Sequence, residues 1–253
     1  MLIEAALQQS EIDLTEAEII LSHLLKRDRS FVKAFPNFRL KTGHATKLKE
    51  FVKRRAQSEP LAYILGYKEF CGLKIYVDKR VMVPRPETED LVTEVIKQVY
   101  SIPNRNRKNH WKHDQLTIVD VGTGSGNIAI ALAKAVPFAK IFATEIDNDA
   151  YNVAKQNISH HGLSKKISLL KGDLLESVTE KADFIVANLP YIPTTRLKKL
   201  QPEVSRWEPT IALDGGRDGL KIYRKLFDRA ASVLKPNGLL FYEIDGDTFV
   251  KNY

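Results

Sequence analysis

Asn188-Leu189-Pro190-Tyr191 is the stretch whose residue types are best suited to chemistry. Asparagine offers one carbonyl acceptor and one amide donor. Pro190 fixes its own backbone and holds Leu189 in extended conformations, and Tyr191 supplies a flat face. Together they can grip a planar amide or amidine nitrogen. Taken alone, the four residues read more simply as a Pro-containing turn after a strand. A second stretch, Asp120-Val121-Gly122-Thr123-Gly124-Ser125-Gly126, has glycine at every second position. Such spacing lets the backbone pass close to a ligand, and a helix that follows presents free N–H groups to it. The third glycine comes one residue too early for the dinucleotide fingerprint and the phosphate-loop lysine is missing. That argues against NAD and ATP.

Both stretches need strands to position them. Apolar runs predict strands near Thr117–Val121, Lys140–Thr144, Ile167–Leu170, Phe184–Ala187 and Leu239–Glu243. The helices between them are predicted over Asn127–Ala135, Asp149–His161 and Asp218–Leu234, the last ending at Pro236-Asn237-Gly238. This alternation is the pattern of a parallel sheet with crossover helices, whose ligands bind beyond the carboxyl ends of the strands. Glu145 then stands after the second strand, where an acid can accept both hydroxyls of a ribose. Asp173 and Leu174 follow the third, placed to meet an adenine by hydrogen bond and apolar contact. Singly, Glu145 and Asp173 are ordinary surface acids of loops. Their recurrence at successive strand ends implies one nucleoside-bearing ligand.

The first part of the chain reads as helical. Thr15 and Glu18 have the spacing of a capping box, and Ala17, Leu21, Leu24 and Leu25 mark one apolar face. A second helix carries Leu48, Phe51 and Val52 toward Pro60. Alternation from Leu73 to Val83 predicts a hairpin. Pro84-Arg85-Pro86-Glu87-Thr88-Glu89 opens a further helix, with proline in the first turn and acids at the positive end of the dipole. The expected division is a helical recognition domain over 1–72, a hairpin linker over 73–85 and a ligand-binding domain over 86–253.

The 253 residues are 43% apolar, enough for a real core, and carry a formal charge of +8. That charge favours acidic partners by solubility and encounter rate without identifying one. Much of it lies in Lys47, Lys49, Lys53, Arg54 and Arg55 and in Arg105, Arg107, Lys108 and Lys112 around Trp111, which read as solvated faces and a polar linker. The single Cys71 excludes an internal disulfide framework and a cysteine-based zinc cluster, and no metal-ligand spacing occurs. His110, His113, His160 and His161 read as surface residues. No apolar run approaches the roughly 20 residues that span a bilayer. The acidic start, Met1 to Glu18, has no signal-like region, so a cytoplasmic protein is expected.

Asp120 to Gly126 resembles the S-adenosylmethionine loop of class I methyltransferases, and Asn188 to Tyr191 resembles their amino-methylating motif, usually Asn-Pro-Pro-Tyr. More specifically, Pro60-Leu61-Ala62-Tyr63-Ile64-Leu65-Gly66, Pro84 to Glu89 and Ala212 to Leu220 resemble the N5-glutamine methyltransferases of peptide chain release factors. The similarity runs from the helical start to about Asp245. It implies a Rossmann-like α/β fold, a parallel sheet with helices on both faces, preceded by a small helical domain that seats the release factor. It further implies that Gly122, Thr123, Gly124, Ser125, Gly126 and Glu145 hold S-adenosylmethionine, with Asp173 and Leu174 beside them. Asn188 would touch cofactor and substrate, and Leu189, Pro190 and Tyr191 would line the pocket for the glutamine of a Gly-Gly-Gln loop.

The family continues past the fifth strand into a terminal strand pair, whereas this sequence ends at Tyr253. The expectation is that this pair is missing, that Leu239–Glu243 becomes an exposed edge, and that Phe249, Val250 and Tyr253 are too few to cover it. Leu189 in place of proline gives the Asn-Leu-Pro-Tyr form of rRNA adenine dimethyltransferases. An N6-adenine methyltransferase of RNA or DNA is therefore the alternative, and a cofactor-binding remnant without turnover is a third reading.

Overall fold

The computed structural model describes residues 1–101 and 116–252. Arg105, Arg107, Lys108, His110, Trp111, Lys112, His113 and Tyr253 lie outside the described residues. The chain divides into two compact units, one of Met1–Gly66 with Gln201–Trp207, the other of Tyr67–Leu200 with Glu208–Tyr253.

The first unit is helical: α1 Ile3–Gln8, α2 Leu14–Leu25, α3 Arg29–Ala34, α4 Thr42–Ala56 and α5 Leu61–Leu65. Ile3, Ala6, Ile20, Leu21, Val32, Leu40 and Leu48 form its core. The expected capping box at Thr15 does not form. Asp13 is the N-cap of α2, its carboxylate accepting the N–H groups of Thr15 and Glu16, because a short acid two residues earlier starts the helix before Thr15 and places Thr15 inside its first turn. Glu18, the other half of the box, is buried and bonded to Arg29 at 2.8 Å. Lys47, Lys49 and Lys53 are exposed. Arg54 pairs with Glu59, and Arg55 pairs with Glu16 at 2.8 Å and with Glu203 of the returning segment at 3.0 Å.

The second unit opens with β1 Tyr67–Phe70 and β2 Leu73–Tyr76, an antiparallel hairpin. The alternation read from Leu73 onward becomes strand only in its first half, pairing backward onto β1. Cys71 and Gly72 make the turn, both at positive φ, as a two-residue hairpin connection requires. Burial pushes the Cys71 thiol up to about 11, so it stays protonated at neutral pH. Then come α6 Glu87–Ser101, β3 Thr117–Val121, α7 Asn127–Ala135, β4 Lys140–Glu145, α8 Asn148–His160, β5 Ile167–Lys171 and β6 Ala182–Ala187. The chain passes through α9, Pro202–Ser205, in the first unit and returns for α10 Lys221–Val233, β7 Leu234–Ile244 and β8 Asp247–Asn252.

The main sheet has the order β5-β4-β3-β6-β7-β8, parallel except for β8. All five residues of β3 are buried, as expected of a strand covered on both faces. The helix α10 buries Tyr223, Leu226, Ala230 and Val233 along one stripe. These residues join Val119, Ile185 and Leu240 in one apolar cluster. Succession outward from β3 runs through β4 to β5, then reverses to β6 on the other side. The order therefore reverses between β3 and β6, where α/β sheets bind ligands.

Two expectations at the end of the chain are corrected. The strand Leu239–Glu243 is not an edge: β8 pairs with β7 from Leu239↔Asn252 to Ile244↔Asp247. Asp245 and Gly246, both at positive φ, form a two-residue turn between them. Asp-Gly is a strong hairpin signal, and it stands in the sequence at the point where the edge was expected to begin. Pro236-Asn237-Gly238 does not end α10 but lies within β7, where the pairing with β6 shifts register between Ala182 and Phe184.

Candidate functional site

The register brings the loops together. Val121 is opposite Thr144 and Ala187, and Glu145 is opposite Lys171. Gly122, Asn188, Glu145 and Gly172 therefore leave the sheet along one edge. A cavity of about 410 Å³ opens there. Its walls come from Gly122, Thr123, Gly124 and Ser125 after β3, Glu145 to Asp147 at and after β4, Gly172, Asp173 and Leu174 after β5, and Asn188, Leu189 and Pro190 after β6. Of the residues singled out by sequence, Gly126 and Tyr191 are not among the lining residues.

The glycine loop is shaped from behind by Asp120, which is fully buried. Its Oδ2 accepts the Thr123 hydroxyl at 2.5 Å and the Ala129 N–H, in the first turn of α7, at 3.0 Å. Burial pushes its carboxyl up to about 7 against the pull of those two donors. Gly124 has φ +56, and a β-carbon there would project into open space, nearest Gly122 O at 4.0 Å. At Gly122 a β-carbon would lie 2.6 Å from Leu189 Cδ2, so the glycine lets the β6 loop close on the β3 loop.

Glu145 is buried and already tied to backbone. Its Oε2 accepts the Gly124 N–H at 2.8 Å, and its Oε1 accepts the N–H groups of Ile146 and Asp147, each at 2.9 Å. Burial raises its pKa and these bonds oppose the rise. A carboxylate has about four acceptor sites, so with three taken about one remains for a hydroxyl donor in the cavity. Asp173 carries Lys225 at 3.6 Å. Leu174 is buried with φ +54, a conformation uncommon outside glycine.

Asn188 donates from Nδ2 to Thr88 Oγ1 at 2.8 Å. The Leu189 N–H donates to the Tyr223 hydroxyl at 3.0 Å, and that hydroxyl donates to the Glu243 carbonyl at 2.6 Å. Tyr191 is half-buried, packed against the apolar cluster, with its phenol pushed up to about 12 first by burial and then by Glu243 and Asp245. The segment that follows is held by the stretch 212–220. Ile192 N–H donates to Leu213 O, Gly215 N–H to Ile192 O, and Thr194 N–H to Gly216 O. A β-carbon at Gly219 would lie 2.2 Å from Tyr191 O, which explains a glycine there.

With this geometry in view, the kinship of the chain is informative. Residues 2–66 match the family described as PrmC N-terminal domain, and residues 89–212 match Ribosomal protein L11 methyltransferase (PrmA). A release factor glutamine methyltransferase of Geobacter sulfurreducens is 40% identical over 90% of this chain and 76% of its own length. One of Clostridium acetobutylicum is 35% identical over 94% and 80%. The chain belongs to the release factor glutamine methyltransferase family. Among solved structures, the hMettl16 catalytic domain in complex with a MAT2A 3′UTR hairpin superposes with a TM-score of 0.52 at 16% identity, over 88% of this chain and 76% of that one. At that identity the likeness shows the class I methyltransferase fold. The cofactor of the family is S-adenosylmethionine. The cavity fits it on one observation: Gly124 lines the cavity and a β-carbon there would meet no protein atom closer than 4.0 Å, so the backbone stands open to a ligand.

Sequence reading missed several residues at the site. Arg80, Met82, Pro84, Thr88, Thr210, Ile211 and Lys225 also line the cavity. Thr88 had a signal in the Pro84–Glu89 motif, where it was read only as part of a helix start. Tyr223 and Glu243 carried none, because their roles depend on contacts across the sheet. His161 bonds to Lys74 O through Nε2 and His160 packs on Tyr76, away from the cavity lining. Among the described residues, no helix is long and apolar enough to cross a membrane.

Proposed function

We infer that the chain methylates, from S-adenosylmethionine, the side-chain amide nitrogen (N5) of the glutamine in the Gly-Gly-Gln loop of a peptide chain release factor, in the cytoplasm. The observation that carries this reading is that Asn188, Leu189 and Pro190 line the same cavity as Gly122, Gly124 and Glu145, in a chain of this family. The bound sulfonium supplies an electrophilic methyl group. Everything else is placement. A glutamine amide nitrogen is a poor nucleophile because its lone pair is shared with the carbonyl. Asn188 Oδ1 and the Leu189 carbonyl accept its two N–H groups and aim the nitrogen, with Pro190 bounding the flat amide and Tyr191, outside the cavity lining, reaching it only on turning from the apolar cluster. As the nitrogen takes the methyl, S-adenosylhomocysteine leaves and the extra proton passes to solvent. Placed dipoles and proximity of this kind account for large rate factors without a strong base.

On the cofactor side, Gly122 to Gly126 form the cradle, Glu145 takes the ribose hydroxyls, and Asp173 and Leu174 bound the adenine. Residues 1–72 seat the release factor, 73–85 link, and 86–253 catalyse. The exposed Phe35 and Phe38 of the helical unit are surfaces that such seating can use. The relatives' names favour glutamine over the adenine of the alternative reading. The test is tritiated S-adenosylmethionine offered to release factor, to rRNA and to neither. Label on release factor alone, at the glutamine, is expected. Label on rRNA, or on nothing, overturns the reading.

A further inference from the structure

Behind Asn188 lies a polar group that the chemistry above does not use. Thr88 and Glu243 are each 1% exposed, one at the start of α6 and the other near the end of β7. Thr88 Oγ1 accepts from Asn188 Nδ2. A buried hydroxyl that accepts must send its own proton elsewhere. Burial raises the Glu243 carboxyl, and hydrogen bonding with Thr88 and then Asn188 lowers it, so both side chains act on it. The bond with Thr88 makes Glu243 the acceptor assigned to that hydroxyl proton. Its Oε2 has no hydrogen-bond partner among the described residues.

This arrangement decides which way the Asn188 amide faces. With an acceptor hydroxyl and a carboxylate behind it, the NH2 end is held inward and the carbonyl end is left for the cavity. The opposite orientation would put oxygen against oxygen and present a donor to the substrate. A donor cannot hold an NH2 group.

We propose that Thr88 and Glu243 are positioning residues for methyl transfer: Glu243 accepts a hydrogen bond from the Thr88 hydroxyl, Thr88 accepts one from the Asn188 NH2, and the Asn188 carbonyl is thereby fixed as an acceptor facing the substrate nitrogen. The inference rests on the assignment of Asn188 given above. It adds Thr88, at the cavity wall, and Glu243, outside the lining, and assigns to both the orientation of Asn188.

The test is steady-state methylation of release factor by the full chain, with S-adenosylhomocysteine affinity measured in parallel. Thr88→Val keeps the shape and removes the hydroxyl. It is expected to lower kcat about tenfold to a hundredfold, as misplacement of a reacting group does, with KM for release factor and cofactor affinity unchanged. Thr88→Ser is expected to restore kcat. In an Asn188→Ala background, Thr88→Val should have no further effect, since the residue it orients is gone. Parental kcat in Thr88→Val, failure of Ser to rescue, or equal losses in both backgrounds would overturn the proposal. If Thr88→Val does not fold, Glu243→Gln, nearly isosteric, carries the same test: reduced kcat supports it and parental kcat overturns it. Asn188→Ala alone separates the two readings. If it methylates at the parental rate, the assignment of Asn188 fails; if it is slow while Thr88→Val is fast, only the positioning proposal fails.

Discussion

At Gly124 the site is defined by an atom that is not there. Any substitution combines two effects, strain at φ +56 and occupation of the cavity, and the choice of residue separates them. Asparagine tolerates left-handed backbone better than other side chains. Gly124→Asn is therefore expected to abolish S-adenosylhomocysteine binding in calorimetry while the thermal melt stays close to the parental one. Parental affinity would remove the loop from the site. Residues of this kind were legible in the sequence because their meaning is local: alternate glycines, an asparagine before a proline, an acid at a strand end. Glu145 shows the limit. Its place was legible, but not that three backbone N–H groups already hold its carboxylate, because those donors come from two separate loops.

The element that most constrains the site is α10. From its first turn, Tyr223 accepts from Leu189 N–H and donates to Glu243 O, tying the end of β6 to the end of β7. Where the related motif has proline at position 189 there is no N–H to tie. Here leucine supplies one, and it is buried. Tyr223→Phe is expected to destabilise the chain by about 1–3 kcal/mol, the penalty for an unpaired buried group, and to slow turnover by loosening Leu189. In a Leu189→Pro background the same change should be milder, since only the Glu243 carbonyl then loses its partner. Equal losses in both backgrounds, read from urea unfolding, would show that the Leu189 bond contributes nothing. The strands of the parallel sheet were legible as short, mainly apolar runs, β7 only in its second half. The hairpin of β7 and β8 was not, because its outer strand mixes Asp247, Thr248 and Lys251 with Phe249 and Val250. An exposed edge strand has no periodic apolar signal, and only the Asp-Gly turn announces it.

For the molecule as a whole, the helical unit is not a contiguous piece of sequence, since Gln201–Trp207 belong to it. Arg55 marks the join. Its side chain, 19% exposed, meets Glu16 at 2.8 Å and Glu203 at 3.0 Å. Two carboxylates on one planar fork make lysine a poor substitute. Arg55→Ala is expected to destabilise the chain by about 1.5–3 kcal/mol, the range for hydrogen bonds to charged groups, toward the lower end because part of the side chain is solvated. A change within about 0.5 kcal/mol, typical of ordinary surface substitutions, would show that the join does not depend on it. Nothing in the sequence marked this arrangement, because the residues that meet Arg55 lie on either side of it at very different distances along the chain.

The discontinuity also orders events during synthesis. On the ribosome, residues 1–66 emerge first, yet the piece that completes their unit appears only after β3 to β6 have been made. At about 5–20 residues per second that interval is on the order of 10 s. For that time the nascent helices must persist with Glu16 as the one carboxylate of the pair on Arg55, while the parallel sheet begins to assemble behind them.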